Sequence, residues 1–224
     1  MARSSDRQML SNLRRWGAKR PDTDRAPGQA DGPRGDEPVL PSRALPRFLS
    51  ALAQHEAPVL LDFGPVIGSN VSFFGERLGC KLVIEDLLAD LNRHTRAGTL
   101  EALPATLASR FRHDDQSVDG VLCWDFFDYL DKTSAQSLAK QIVRMLRPGG
   151  AVMGFFCTAA AQQTAFMKYE VADELSLRHR HHAGSGGAKY VLLNRDIIKM
   201  FDGLIVSDSF LLKSNTREIL LRRR

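Results

Sequence analysis

The stretch LLDFGPVIGSN, residues 60–70, decides the fold. A short apolar strand ends on an acid, Asp62, and then breaks at two glycines, Gly64 and Gly68. Gly64 lets the chain turn sharply without a Cβ clash, and Gly68 lets a helix or a ligand approach the backbone. The helix predicted from Ser69 offers free N–H groups beside the acid. Val66 stands where the tightest form of such a turn carries a third glycine, and it narrows the cradle.

Outward from this turn, strands and helices alternate. Before it, Ser42 caps a helix through RALPRFLSALAQHE, with Leu45, Phe48, Leu49 and Leu52 on one stripe and Pro46 near the first turn. After it come a helix (SNVSFFGERLG), a strand (KLVIED) and a second helix (LLADLNRHTRAG). VDGVLCWDFFDYL holds a further strand, SAQSLAKQIVRML an amphipathic helix and GGAVMGFFCT another strand. Between Glu85 and Val118 no third strand is legible: EALPATLASRFRHDD is broken by Pro104 and reads as a short helix. NRDIIKMFDG is a helix closed by Gly203, and LIVSDSFLLKS and TREILLRR are strands joined at Ser214–Asn215, a turn so short that they pair antiparallel. The fold class is therefore α/β: a doubly wound, mainly parallel sheet with a C-terminal antiparallel hairpin and a degenerate third strand.

The chain has 224 residues, 43% hydrophobic and 25% charged, enough for one sizeable core. Residues 1–40 are rich in Pro, Gly and Asp and read as a disordered tail, leaving 41–224 as the folded domain. The N-terminus lacks the apolar core of a secretory signal, and no run of about 18 apolar residues is present, so no membrane span is expected. Cys80, Cys123 and Cys157 are far apart and read as reduced core residues, which points to a cytoplasmic setting and no metal site. The net charge of +5 is uneven: +2 over residues 1–40, −3 over 41–177 and +6 over 178–224. No aromatics interleave the C-terminal cations, so nucleic acid is not favoured as a partner.

In an open parallel sheet, ligands bind beyond the carboxyl ends of the strands, where strand order reverses. Asp62 closes the first strand there, and Glu85, beside Asp86, closes the second; an acid at the second position can accept hydrogen bonds from the hydroxyls of a ribose. Without the third glycine the turn suits a nucleoside ligand that lacks a pyrophosphate, and no Gly-Lys-Ser/Thr follows to make a P-loop.

Four motifs in order, with the terminal hairpin, resemble class I S-adenosylmethionine-dependent methyltransferases of the type 11-like, Rossmann-like kind. They are DFGPVIG (62–68), VIED (83–86), SVDGVLCWDFFDYL (117–130) and LRPGG (146–150). The resemblance covers residues 42–224 and implies S-adenosyl-L-methionine as cofactor, held by Asp62, Gly64, Gly68 and Glu85, with Asp114 and Asp115 towards the adenine and Trp124 as a wall. It implies Asp125 as base or acceptor-positioning group and Tyr129 as a hydrogen-bonding partner of a small-molecule acceptor. Two rivals stand beside it: a non-catalytic interaction or regulatory module of the same fold, and a nucleic-acid-modifying methyltransferase. LRHRHHAGSGG (177–187) reads as a mobile loop, with His179 and His181 on one face. The acceptor and the oligomeric state are not legible.

Overall fold

The computed structural model describes residues 37–224, the side chains at 162, 163 and 182–186 excepted. The expected disordered tail lies outside the described residues up to position 36; residues 39–41, by contrast, form a strand, β1 (Val39–Pro41).

Helix α1 (Leu45–Leu52) lies within the predicted stretch 43–56 but is shorter at both ends, and Ser42 Oγ accepts the Leu45 N–H at 3.0 Å. The buried carboxylate of Glu218 accepts the N–H groups of Arg43 and Ala44 at the same helix start, where free donors and the helix dipole favour an anion. Strand β2 (Val59–Asp62) leads into a helical run, α2 (Gly68–Val71), continued with wider hydrogen bonding over Ser72–Arg77. Strand β3 (Lys81–Ile84) and helix α3 (Leu87–Ala97) follow. No strand lies between β3 and β4 (Val118–Trp124). A short turn at Leu100–Ala102 and helix α4 (Leu103–Arg110) fill that interval, with Pro104 in the first turn, where its missing N–H is harmless. Helix α5 (Lys132–Met145) is capped by Asp131 and buries Ala135, Leu138, Ala139, Ile142 and Met145.

The main sheet has the order β3-β2-β4-β5-β9-β8, where β5 is Leu146–Cys157, β8 Leu204–Leu211 and β9 Thr216–Arg223. β3, β2, β4 and β5 are parallel; β9 and β8 run antiparallel, turning at Asn215, whose φ is +53°. The expected doubly wound, mainly parallel sheet with its terminal hairpin is therefore present. Every residue of β4 is buried, because the sheet is covered on both faces. Leu61, Val121, Cys123 and Phe156 face α3, α4 and α5, whereas Leu60, Leu122, Trp124 and Phe155 face α1 and α2. Gly120 marks where α1 presses on the sheet: a Cβ there would stand 2.6 Å from Leu52 Cδ2. In the LRPGG segment the chain bulges out of register with β4, with Gly149 at φ +80°.

The segment after β5 departs from expectation. Instead of a loop, β6 (Ala161–Asp173) and β7 (Ser176–Lys189) form a long antiparallel hairpin that pairs with β1 in a second sheet, ordered β1-β7-β6. The loop reading came from the glycines of AGSGG, but Phe166, Tyr169, Val171 and Leu177 give this arm a buried apolar face. Helix α6 (Asn194–Met200) then leads back to β8, through Gly203 at φ +95°.

Asn70, 1% exposed, ties the arm down: its amide donates to the Tyr169 carbonyl and accepts the Val171 N–H, both at 2.8 Å. Asn70→Ala would leave both backbone groups buried without a partner. It should cost about 2–4 kcal/mol in urea unfolding and raise hydrogen exchange at Val171.

Candidate functional site

The chain lays β3 on one side of β2 and then crosses to lay β4 on the other. Strand order therefore reverses between the carboxyl ends of β2 and β4, the place in such sheets where ligands enter. Asp62 stands at the end of β2, in register with Leu122 of β4 and Ile84 of β3.

The Asp62 carboxylate is 2% exposed, and no cation pairs with it among the described residues. One of its oxygens, Oδ1, accepts the Gly64 N–H at 2.9 Å and the indole N–H of Trp124 at 2.6 Å. Burial pushes its pKa up from 3.8 to about 6, against the pull of those two hydrogen bonds. Trp124 closes β4 with φ at +49°, a left-handed conformation that a bulky side chain rarely takes. This turn lays the indole on the glycine: a Cβ on Gly64 would meet its Cδ1 and Nε1 at 2.9 Å. Beyond the indole, Tyr169 of the arm stacks on it, centroids 5.2 Å apart and planes 3° from parallel. Phe155 stacks on Tyr169 in turn at 4.8 Å, and His179 meets both rings edge-on. Burial holds the His179 pKa below its ordinary value, with Asp125 pulling the other way.

A second polar cluster lies under the arm. Asp125 accepts Lys189 Nζ at 2.8 Å and the Tyr129 hydroxyl at 3.2 Å; Asp128 accepts the same lysine at 3.2 Å. Asp128 also accepts the Cys157 N–H through its other oxygen, and its carbonyl accepts the Tyr190 N–H. Burial pushes Asp128 up to about 6, with Lys189 opposing. Burial works against the Lys189 charge, but Asp125 and Asp128 outweigh it and hold its pKa above the usual lysine value. Burial, reinforced by Asp125, likewise raises Tyr129. The arm is thus latched to the end of β4 by a half-buried lysine between two buried acids.

Asp62, Gly64, Trp124, Asp125 and Tyr129 thus gather at or beside the crevice. Glu85 sits at its far side, with its N–H on the Asp62 carbonyl, but its carboxylate is engaged by Arg110 (3.2 Å) and faces His113 (3.6 Å). Gly68 has open space where a Cβ would stand, so no close approach needs it. Asp114 and Asp115 are displaced from their expected place. They precede the amino end of β4, both exposed, and Asp115 pairs with Arg144 of α5 at 2.7 Å; Trp124 is at the strand's opposite end. The missing third strand explains this, since no strand carries that segment up to the crevice. Val66 is 67% exposed and does not narrow the cradle; the indole does. Lys189, Asp128 and Tyr169 had no signal in the sequence, because long-range pairing brings them in.

Between Gly64, Trp124, Asp125, Phe126, Met167 and Tyr169 the crevice keeps a void of about 10 Å³, room for one water at most. A groove of about 600 Å³ runs outside it, along α3 between Pro65, Asp86, Asn92, Arg93 and Arg96, and touches neither Asp62 nor Glu85. Among the described residues no His, Cys, Asp and Glu cluster could hold a metal ion, and no helix is long and apolar enough to cross a membrane.

No protein-family profile matches the chain, and no curated protein sequence does. Solved structures align with it at low identity. A protein from Pyrococcus horikoshii OT3 aligns at a TM-score of 0.47 and 13% identity, over 75% of this chain and 83% of its own. A 1,6-didemethyltoxoflavin-N1-methyltransferase from Burkholderia thailandensis, solved with 1,6-didemethyltoxoflavin and S-adenosylhomocysteine, aligns at 0.46 and 15%, over 81% and 78%. A glycopeptide N-methyltransferase solved with S-adenosyl-L-methionine aligns at 0.45 and 11%, over 81% and 93%.

Two outcomes follow from the buried charges. Folded Asp62 keeps its proton up to about pH 6, whereas the unfolded chain loses it near 3.8. This group therefore stabilises the fold as pH falls from about 6 towards 4, and above that range it costs up to about 3 kcal/mol. Asp62→Asn keeps the accepting oxygen and removes the titration, so its melting temperature should gain on wild type progressively from about pH 4 to about pH 6 and hold that gain at higher pH. Lys189→Met leaves Asp125 and Asp128 buried without a cation and should cost about 3–5 kcal/mol at neutral pH, with part of the loss recovered in acid as the carboxyls protonate.

Proposed function

We propose that this chain is an S-adenosyl-L-methionine-dependent methyltransferase acting on a small-molecule acceptor. The observation that carries this reading is Asp62: a carboxylate buried at the reversal of strand order, tied to the N–H of a glycine turn and given no cation by the fold. Such a group suits the ammonium of an amino-acid ligand. The four motifs of the sequence and the order of the sheet support the same reading.

The donor set fits the cofactor; the room does not, until Trp124 leaves. With the indole out, Asp62 would hold the ammonium. Gly64 would let the ligand lie close against the backbone. Glu85, beside Arg110, would offer an oxygen to the ribose hydroxyls. The cofactor, when bound, supplies an electrophilic methyl group. Asp125, at the end of β4 with Tyr129 and Lys189 on it, is placed to orient an acceptor and to take its proton once the lysine gives up an oxygen. The aromatic faces of Tyr169 and Phe155 and the side chain of Met167 exclude water on the arm side.

The void of about 10 Å³ favours a second reading, a non-catalytic module that keeps the fold with its crevice filled. Nucleic acid draws less support: Arg222 and Arg223 in the basic C-terminal segment are turned onto the backbone carbonyls of Gly149, Val143 and Leu146.

Calorimetry with S-adenosylhomocysteine separates the first two. Binding at up to millimolar ligand, lost in Asp62→Ala, is the expected result, followed by transfer of labelled methyl to small-molecule acceptors. No binding at that concentration removes the enzyme reading.

A further inference from the structure

We infer that the indole of Trp124 is an internal stand-in for the ligand, and that an amine-bearing ligand enters the crevice by displacing this indole from Asp62. The inference rests on the crevice being the cofactor site.

Three features set Trp124 apart from an ordinary core tryptophan. Its backbone is held at φ +49° at the end of a buried strand, where the β4–β5 register also shifts between Leu122 and Trp124. Strain of this kind persists only where surrounding contacts enforce it, and it turns the side chain back across the mouth of its own strand. The indole then fills the space left by the missing side chain of Gly64, 2.9 Å from where its Cβ would be. Finally, its one polar group takes the carboxylate oxygen that already accepts the Gly64 N–H.

The exchange is chemically matched. An indole N–H is a neutral donor, so Asp62 remains a buried anion without a counter-charge, and its pKa is raised accordingly. An ammonium replaces the lost hydrogen bond and also supplies the missing positive charge, making a stronger, charge-assisted bond. A nucleoside without an amine offers nothing to offset the departure of the indole. Tyr169 stays as a wall, since Asn70 holds its carbonyl and the N–H of Val171 two residues on. The indole-in form lowers the apparent affinity in proportion to the fraction of molecules with the crevice open.

Trp16 and Trp124 are the only tryptophans in the sequence, so Trp16→Phe leaves Trp124 as the sole indole reporter. In that background, saturating S-adenosylhomocysteine should shift Trp124 emission to the red as the ring leaves its stack on Tyr169. 5′-Methylthioadenosine, which carries the nucleoside without the amine, should not. Trp124→Gly, which also relieves the positive φ, should bind S-adenosylhomocysteine about tenfold or more tighter than wild type by calorimetry. Trp124→Phe keeps a ring on Tyr169 but has no N–H; it should bind tighter by a smaller factor, and it carries the test should the glycine variant fail to fold. Equal affinity of wild type and variants with unchanged emission overturns the inference and leaves the cofactor reading intact. A methylthioadenosine shift as large as that of S-adenosylhomocysteine overturns the role of the amine. Absence of binding by wild type and by every folded variant overturns the inference and the cofactor reading together.

Discussion

A carboxylate buried with no cation beside it among the described residues organises one end of this molecule. Asp62 closes the first strand of the main sheet, and its charge is satisfied by two N–H groups, one from the glycine turn and one from an indole. To deliver that second donor, β4 ends in a left-handed residue, and Gly64 has no side chain to obstruct the ring. Tyr169 and Phe155 then stack beyond the indole in near-parallel planes. Such rings contribute on the order of 1 kcal/mol per pair beyond the area they bury. The crevice is therefore closed by contacts that satisfy one another.

The arm β6–β7 shapes this end of the sheet as much as the strands do. It is bound at two points by polar groups: the buried Asn70 on the backbone of β6, and the half-buried Lys189 of β7 between the buried Asp125 and Asp128. Buried polar contacts of this kind add little net stability but penalise any other placement of the hairpin, because an unpaired amide or carboxylate under the arm is costly. The same lysine covers Asp125. Access to the crevice and access to Asp125 are therefore governed by different contacts, one aromatic and one ionic.

The legible parts of the chain are those set by local rules. Alternating strand and helix periods foretold the doubly wound sheet, Pro104 and the weak periodicity around it foretold a helix in place of the third strand, and the short turn at Asn215 foretold an antiparallel hairpin. Asp62, Gly64, Trp124, Asp125 and Tyr129 lie together because they sit at or just beyond strand ends, which the sequence marks. Asp114 and Asp115 were misplaced because proximity in sequence to a strand does not say which end of it a residue occupies. The arm was read as a loop because AGSGG obscured the apolar alternation on either side of it.

By itself the sequence determined the order of elements in the main sheet, its cover on both faces and the acids at its mouths, since hydrophobic period and turn chemistry are local and survive without knowledge of contacts. Only the tertiary structure decided what those acids meet. Trp124 and Asp62 are 62 residues apart, Lys189 and Asp125 are 64 apart, and Arg110 reaches Glu85 across 25. Pairings over such spans are selected by the burial of whole faces, and burial is a property of the assembled layers.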